Sequence, residues 1–277
     1  MRFRHLAEQI YFRPWFITPA AHRAIALVFE RALNDPAVAT QLTALDGQLS
    51  DLFPQRKSLV IDSEGIATIH LLGPLGKGLS KMEQSCGATS FESIRADYEA
   101  AVAAHARGCI LHIDSPGGTV TGTPEIAALI AAGPLPCVAY TEDMIASAAY
   151  YIAAGARAIV ASPSASVGSI GVYIPWVDSS AQYAAAGLKP DPIVNTGGDL
   201  KALGFGGSLS PVQREHLQEQ VDADFGLFRA HVLAHRTLAD SAMRGQVMSG
   251  PAALSANLIN AIGDMTTARA LLTPFLR

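Results

Sequence analysis

The segment Cys109-Ile-Leu-His-Ile-Asp-Ser-Pro-Gly-Gly118 decides the fold class, because an apolar run ends there abruptly in a turn. A short apolar run that is bounded by turn residues is typical of a buried strand. Similar strands are predicted at 136–140 and 158–161, and helices at 90–107 and 124–132 lie between them or beside them. Strands that alternate with helices along the chain form a parallel sheet, so the sequence predicts an α/β domain.

The segments outside this alternating region carry weaker patterns. Further elements are predicted at 58–75 (two strands with a turn at 62–65), 171–174 and 191–195 (strands), and 180–187 and 211–236 (helices). Thr18-Pro19 can cap and start a helix, which indicates a helical N-terminal extension over residues 1–50. Residues 51–277 then form the main domain.

The composition excludes several classes of protein. Of the 277 residues, 49% are hydrophobic and 16% are charged, which is the reverse of the balance in a disordered chain. The net charge of −4 provides no general attraction to nucleic acid or to anionic lipid. Glu8 and Arg13 interrupt any signal-peptide core, and no apolar run reaches the length of a membrane span. We therefore expect a cytoplasmic protein with no nucleic-acid partner and no membrane anchor.

The sequence also offers little to a metal or a cofactor. Its three cysteines, Cys86, Cys109 and Cys137, are widely spaced and form no CxxC pair. They are predicted to be core thiols rather than zinc ligands. No segment has the spacing of a phosphate-binding loop, and no pair of residues has metal-ligand spacing. We expect no metal and no cofactor.

Ser147 is the first candidate for chemistry. It begins a predicted helix within Met144–Ile152, and its immediate neighbours are small or apolar. Two interpretations fit: Ser147 caps the helix with its hydroxyl, or it is a nucleophile placed where the helix dipole stabilises negative charge. The surrounding residues do not match the G-x-S-x-G elbow, so an α/β-hydrolase is not indicated.

Two further segments could assist a nucleophile. The glycines Gly117 and Gly118 follow a strand, and their lack of a side chain would let backbone N–H groups converge on an oxyanion. The serine-rich segment 162–171 contains Ser169, which could line a cleft. The alternative in both places is ordinary turn chemistry.

A serine nucleophile needs a base, and the chain offers few. No histidine lies between residues 113 and 215, although a distant histidine could fold back onto the serine. After Ser147 the only lysines are Lys189 and Lys201. Lys201 lies in a glycine-rich segment with few charges, and a lysine in a pocket of low dielectric can act as a general base. The alternative is a solvated loop lysine.

Four of these segments, in this order and spacing, resemble the S49 peptidase family. They are Ile113–Gly118, Ala146–Ala153, Ala161–Val172 and Gly198–Lys201. That family includes signal peptide peptidase A and the head-maturation proteases of tailed phages. The resemblance implies a Clp protease/crotonase-like fold of repeated ββα units.

The resemblance also implies roles for individual residues. Ser147 matches the nucleophile of a Ser–Lys dyad, and Lys201 matches its general base. Gly118, with Gly117 beside it, matches the oxyanion hole, and Ser169 matches a hydroxyl near the dyad. The implied reaction is peptide-bond hydrolysis through an acyl-enzyme, without a metal or a nucleotide.

Local departures indicate the branch of the family. Ala148-Ala149 stand where the family often has two glycines, and the N-terminal segment 11–19 resembles the leader of phage head proteases. We therefore expect a homo-oligomeric ring that cleaves scaffold or capsid proteins during phage or prophage head assembly, in the host cytoplasm or the prohead. The alternatives are a soluble signal-peptide-peptidase-like enzyme that degrades peptide fragments, or a catalytically inactive assembly module.

Overall fold

A computed structural model describes residues 13–34, 59–79, 83–84, 87–204 and 207–276. Its strands are β1 (Trp15–Ile17), β2 (Leu59–Ile61), β3 (Ile66–Leu72), β4 (Leu75–Gly76), β5 (Thr89–Ser90), β6 (Gly108–Asp114), β7 (Gly117–Thr119), β8 (Cys137–Thr141), β9 (Met144–Ala146), β10 (Ala158–Ala161), β11 (Ser166–Gly168), β12 (Val247–Ser249) and β13 (Ala261–Ile262). Its helices are α1 (Pro19–Asn34), α2 (Phe91–Ala103), α3 (Thr123–Ala132), α4 (Ala148–Ala154), α5 (Ser180–Ala185), α6 (Pro211–His235), α7 (Gly250–Ser255) and α8 (Met265–Leu272). None of the helices in these ranges has the length and hydrophobicity that a bilayer span requires.

The main sheet has six strands in the order β13-β10-β8-β6-β3-β2. All neighbouring strands in it are parallel except β2 and β3, which form the predicted antiparallel pair. Cys109 on β6 lies opposite Cys137 on β8, and both thiols are buried, so they are core residues as predicted. Cys86 lies outside the described residues.

Two successive ββα units place the site. In the units β6–β7–α3 and β8–β9–α4, the first strand belongs to the main sheet and the second leaves it for a smaller one. β7 joins a four-stranded sheet in the order β1-β7-β4-β5, and β9 joins a three-stranded sheet in the order β12-β11-β9. The predicted α/β, Clp protease/crotonase-like fold of repeated ββα units is confirmed.

Helix α4 lies in the middle of the core. All seven of its residues are buried, and four of them are alanine, which lets the helix approach its neighbours closely. Tyr151 on α4 packs against Phe228 on α6, with 4.9 Å between the ring centroids. The residue that starts this helix is therefore attached to one of the most enclosed parts of the molecule.

Two predicted strands are wrong. Among the residues that the structure describes, segment 171–174 makes a single bridge, between Tyr173 and Trp15, and the strand lies earlier, at Ser166–Gly168. At 191–195 the chain is irregular and exposed, and the side chain of Ile193 is 98% exposed. An apolar run becomes a strand only where another strand supplies its hydrogen bonds, and no described strand pairs with this segment. The boundary expected near residue 50 lies outside the described residues.

Tyr98 provides a test of the core. Its buried hydroxyl donates to the carbonyl of Leu135 at 3.1 Å and accepts from the N–H of the same residue at 2.9 Å. Burial raises the pKa of Tyr98 to about 12, so the hydroxyl stays protonated. Tyr98→Phe leaves both backbone groups without this partner, and we expect urea titration to show a loss of about 2 kcal/mol in the free energy of unfolding. The same change at the exposed Tyr183 should have no effect, and equal losses in the two variants would contradict the assignment.

Candidate active site

Ser147 connects β9 to α4 in a strained conformation. Its φ is 55° and its ψ is −116°, values that a residue with a side chain rarely adopts. Hydrogen bonds hold the backbone there, because the N–H of Ser147 donates to Gly168 at 2.8 Å and its carbonyl accepts from Tyr151 at 2.8 Å. Strain of this kind persists only where surrounding structure imposes it, and it concentrates at functional sites.

The hydroxyl of Ser147 does not cap the helix. The residue occupies the N-cap position of α4, yet its side chain makes no capping hydrogen bond. Ser147 is 1% exposed, and its buried Oγ has no hydrogen-bond partner within the part of the chain that the structure describes. A buried hydroxyl without a partner is destabilising by about 1–3 kcal/mol. The interpretation of Ser147 as a helix cap is therefore wrong, and its unpaired hydroxyl favours a chemical role.

The two predicted glycines lie beside this serine. Gly117 has a φ of 107°, and a Cβ at that position would lie 2.9 Å from Cβ of Ser147. Ser115 fixes the turn, because its Oγ donates to the carbonyl of Gly73 at 2.7 Å and accepts from the N–H of Gly117 at 3.2 Å. The N–H of Gly117 is therefore engaged inside the turn, and strand β7 continues from it through Gly118.

Ser169 joins the same cluster. It follows Gly168, whose carbonyl anchors Ser147, and it is 5% exposed with a φ of 53°. Its N–H donates to the carbonyl of Gln246 at 2.7 Å, which secures the positive φ. Ser169 also lines a cleft of about 360 Å³ together with Ile17. The structure thus brings together the predicted residues Ser147, Gly117, Gly118 and Ser169.

Lys201 is not part of that cluster. Its side chain is exposed, and its backbone N–H closes a turn by donating to Gly198 at 2.9 Å. None of residues 177–201 is buried. Because Oγ of Ser147 has no hydrogen-bond partner among the described residues, the contact between serine and lysine is not formed in this conformation.

Sequence reasoning missed two groups near the serine. Ala148 is the first residue of α4, so its backbone N–H has no acceptor within the helix. The sequence indicated this group only through the position of Ala148 directly after the candidate nucleophile, where a backbone N–H can bind an oxyanion. His231 on α6 stacks on Tyr151, with 4.4 Å between ring centroids and 7° between ring planes. It follows Phe228 by three residues, a spacing that places both on one helix face.

His231 makes stability depend on pH. Burial, helped by the charge of nearby His235, lowers the pKa of His231 from 6.5 to about 4. The unfolded chain binds this proton more readily, so the free energy of unfolding should fall as pH drops from 6.5 toward about 4. We expect a loss of about 1 kcal/mol between pH 7 and pH 5, after allowance for partial solvent access. Urea titrations at both pH values should show a smaller difference in His231→Phe than in His216→Phe, and equal differences would contradict this.

The sequence model of Peptidase family S49 matches residues 132–274 of the chain. This range contains Ser147, Ser169 and Lys201, and it begins after the turn that contains Gly117 and Gly118.

Two curated phage proteins are similar to the chain. The head-tail preconnector protein GP5 of Enterobacteria phage P21 is 29% identical over 201 residues, which are 70% of this chain and 40% of the relative. The capsid assembly protease C of Escherichia phage lambda is 27% identical over 271 residues, which are 95% of this chain and 61% of the relative. The chain therefore spans only part of the length of these relatives. The catalytic domain of the ClpP protease from Plasmodium falciparum aligns with a TM-score of 0.40 and 10% identity, over 72% of this chain and 85% of that chain.

Proposed function

Because the chain belongs to peptidase family S49, we propose that it is a serine endopeptidase that works through a dyad of Ser147 and Lys201. The observation that carries this proposal is the conformation of Ser147, a strained residue whose buried hydroxyl has no hydrogen-bond partner in the ranges that the structure covers. A serine that serves only packing or capping gains nothing from such a conformation. A nucleophile gains a fixed direction of attack.

The proposed reaction begins with attack by Oγ of Ser147 on the carbonyl carbon of a peptide bond. The neutral amine of Lys201 accepts the hydroxyl proton, and the backbone N–H groups of Gly118 and Ala148 bind the resulting oxyanion. The tetrahedral intermediate expels the amine of the peptide, which takes the proton from Lys201. Water then releases the acyl group by the same steps. Gly117 lets β7 approach the serine closely, since a Cβ there would collide with it.

Lys201 must reach the serine for this reaction. The segment 177–201 contains exposed apolar side chains, including those of Val177, Leu188 and Ile193. Exposed apolar side chains on one segment support its burial in an assembly. We propose that the segment packs over the site when copies of the chain assemble into a ring, and that this packing positions Lys201. Ser169 then lies near the dyad and contributes a hydroxyl to its surroundings.

The proposed substrates are scaffold or capsid proteins of a phage or prophage. Support comes from the capsid assembly protease C of phage lambda, whose similarity extends over 95% of this chain. The proposed place of action is the host cytoplasm or the prohead. The proposed chemistry needs no metal and no cofactor, because serine, lysine and two backbone N–H groups supply every proton transfer and charge contact.

Labelling with a fluorophosphonate, followed by peptide mapping, tests the proposed nucleophile directly. The probe forms a covalent bond with an activated serine hydroxyl, so we expect an adduct on Ser147 and on no other serine. An adduct on another residue would assign the role of nucleophile to that residue instead of Ser147. No adduct in a folded and assembled sample would favour an inactive assembly module.

A further inference from the structure

Strand β1 occupies the space next to Ser147. It is the edge strand of its sheet, and it pairs antiparallel with β7 in the register Trp15–Thr119, Phe16–Gly118 and Ile17–Gly117. On its other side, the N–H of Trp15 donates to the carbonyl of Tyr173 at 3.0 Å, and the N–H of Tyr173 returns a bond of 3.4 Å. The N-terminal segment is therefore held between the two stretches of chain that flank the candidate nucleophile.

The register determines which backbone groups of β1 face β7. Both polar groups of Trp15 face Tyr173, and direction alternates along an antiparallel strand, so both groups of Phe16 face β7. Two residues after Phe16, the N–H of Thr18 donates to the carbonyl of Pro116 at 3.0 Å, which agrees with this alternation. Phe16 and Gly118 thus form a hydrogen-bonded pair, in which the N–H of Gly118 donates to the carbonyl of Phe16. That N–H is the one that the proposed mechanism assigns to the oxyanion.

The carbonyl of Phe16 also lies close to the serine. A Cβ on Gly117 would overlap the carbonyl oxygen of Phe16 and would lie 2.9 Å from Cβ of Ser147. The carbonyl oxygen of Phe16 and the side chain of Ser147 therefore lie on either side of one small space. Ser147 is 1% exposed with β1 in place, so another peptide cannot reach it there.

The side chain of Phe16 fills an aromatic pocket. It is 1% exposed, and its ring centroid lies 4.9 Å from that of Phe228 and 5.8 Å from that of Tyr151. Tyr151 follows Ser147 by one turn of α4, so the pocket belongs to the same helix as the nucleophile. The pocket is apolar and ring-lined, which suits an aromatic side chain.

We propose that β1 occupies the binding site of an extended peptide, and that the pocket around Phe16 receives an aromatic side chain of the substrate. A substrate pairs with β7 after β1 has left, which makes the N-terminal segment an inhibitory strand. Its position at a sheet edge allows β1 to leave without separating any other strands. This proposal rests on the proposed function, because it assigns a ligand to the same site.

A disulfide between β1 and β7 tests the inhibitory strand in a folded protein. Trp15 and Thr119 are opposite residues of a non-hydrogen-bonded pair, where the Cα atoms are about 4.5 Å apart, within the range that a disulfide accepts. The variant carries Trp15→Cys and Thr119→Cys in a Cys86→Ser background, and it is treated with the fluorophosphonate probe before and after reduction. Oxidation should slow the labelling of Ser147 at least about tenfold, because the open state that admits the probe is removed. Equal rates in the two states would overturn the inhibitory role of β1.

A competing peptide tests the pocket. The hexapeptide Arg-Pro-Trp-Phe-Ile-Thr, which copies residues 13–18, should slow labelling of the reduced variant. The control peptide with Ala in place of Phe should need at least about tenfold higher concentration for the same effect, since an aromatic ring supplies most of the buried apolar area. Equal potency of the two peptides would overturn the aromatic pocket. Absence of labelling in both redox states would instead count against Ser147 as the nucleophile, so the two proposals fail differently.

Discussion

Ser147→Ala is expected to lower peptide hydrolysis by roughly 10⁴- to 10⁶-fold, because it removes the atom that attacks the substrate. Rates with a casein-type or scaffold-derived substrate would measure the loss, and circular dichroism would show an unchanged fold. Ser164→Ala is the matched control, since Ser164 is exposed and lies on the turn before β11. Retention of most activity in Ser147→Ala would remove Ser147 from the mechanism.

The same position separates function from stability. Alanine at 147 keeps a side chain at a φ of 55° and so keeps the strain, whereas glycine adopts this conformation freely. Ser147→Gly should therefore be as inactive as Ser147→Ala and more stable by about 1 kcal/mol in urea titration. Equal stability of the two variants would show that the conformation of Ser147 stores no strain.

Lys201→Ala should lower hydrolysis by about 10²- to 10⁴-fold, the range that positioned general bases contribute. Lys201→Arg should fail to restore activity, because a guanidinium stays charged and cannot accept the proton. Rates with the substrate used for Ser147→Ala would measure both lysine variants.

Lys189→Ala is the control for this second prediction. Lys189 lies in the same exposed segment as Lys201 and carries the same charge, so a general effect of charge or of segment packing would appear in both variants. We expect Lys189→Ala to keep nearly full activity. Similar losses in both lysine variants would indicate that the segment matters for assembly and not for proton transfer.

The sequence was sufficient to predict five of the six strands of the main sheet, but it did not reveal β13 or the short strands of the smaller sheets. Runs such as 109–113 are apolar and bounded by turn residues, so they can be recognised as strands from the local sequence. β7, β9 and β11 have three residues each and are rich in glycine, alanine and serine, which gives no alternating pattern. They are strands because the fold places them beside partners: β7 pairs with β1 and β4, and β9 pairs with β11. Their pairing is therefore a tertiary effect.

The candidate site was predictable to a similar extent. Ser147, Gly117 and Ser169 were singled out by residue type and order, and the structure places them together. The strain at Ser147 was not predictable, because it depends on a hydrogen bond to Gly168 that forms only in the fold. β1 was missed within the expected helical extension, because its partners, at 117–119 and at Tyr173, lie far along the chain.

The complete burial of α4 has a consequence for how activity can be switched. Segments in the middle of a core open only when the whole domain unfolds, whereas edge strands and exposed segments can open separately from the core. Because Ser147 is attached to α4, its position changes only if the whole domain unfolds. The parts whose position can change without unfolding are β1, which covers the serine, and the exposed segment that carries Lys201. Under the proposed function, a molecule closed by β1 thus carries a fully formed nucleophile, and its activation requires rearrangement at the periphery with no refolding of the interior.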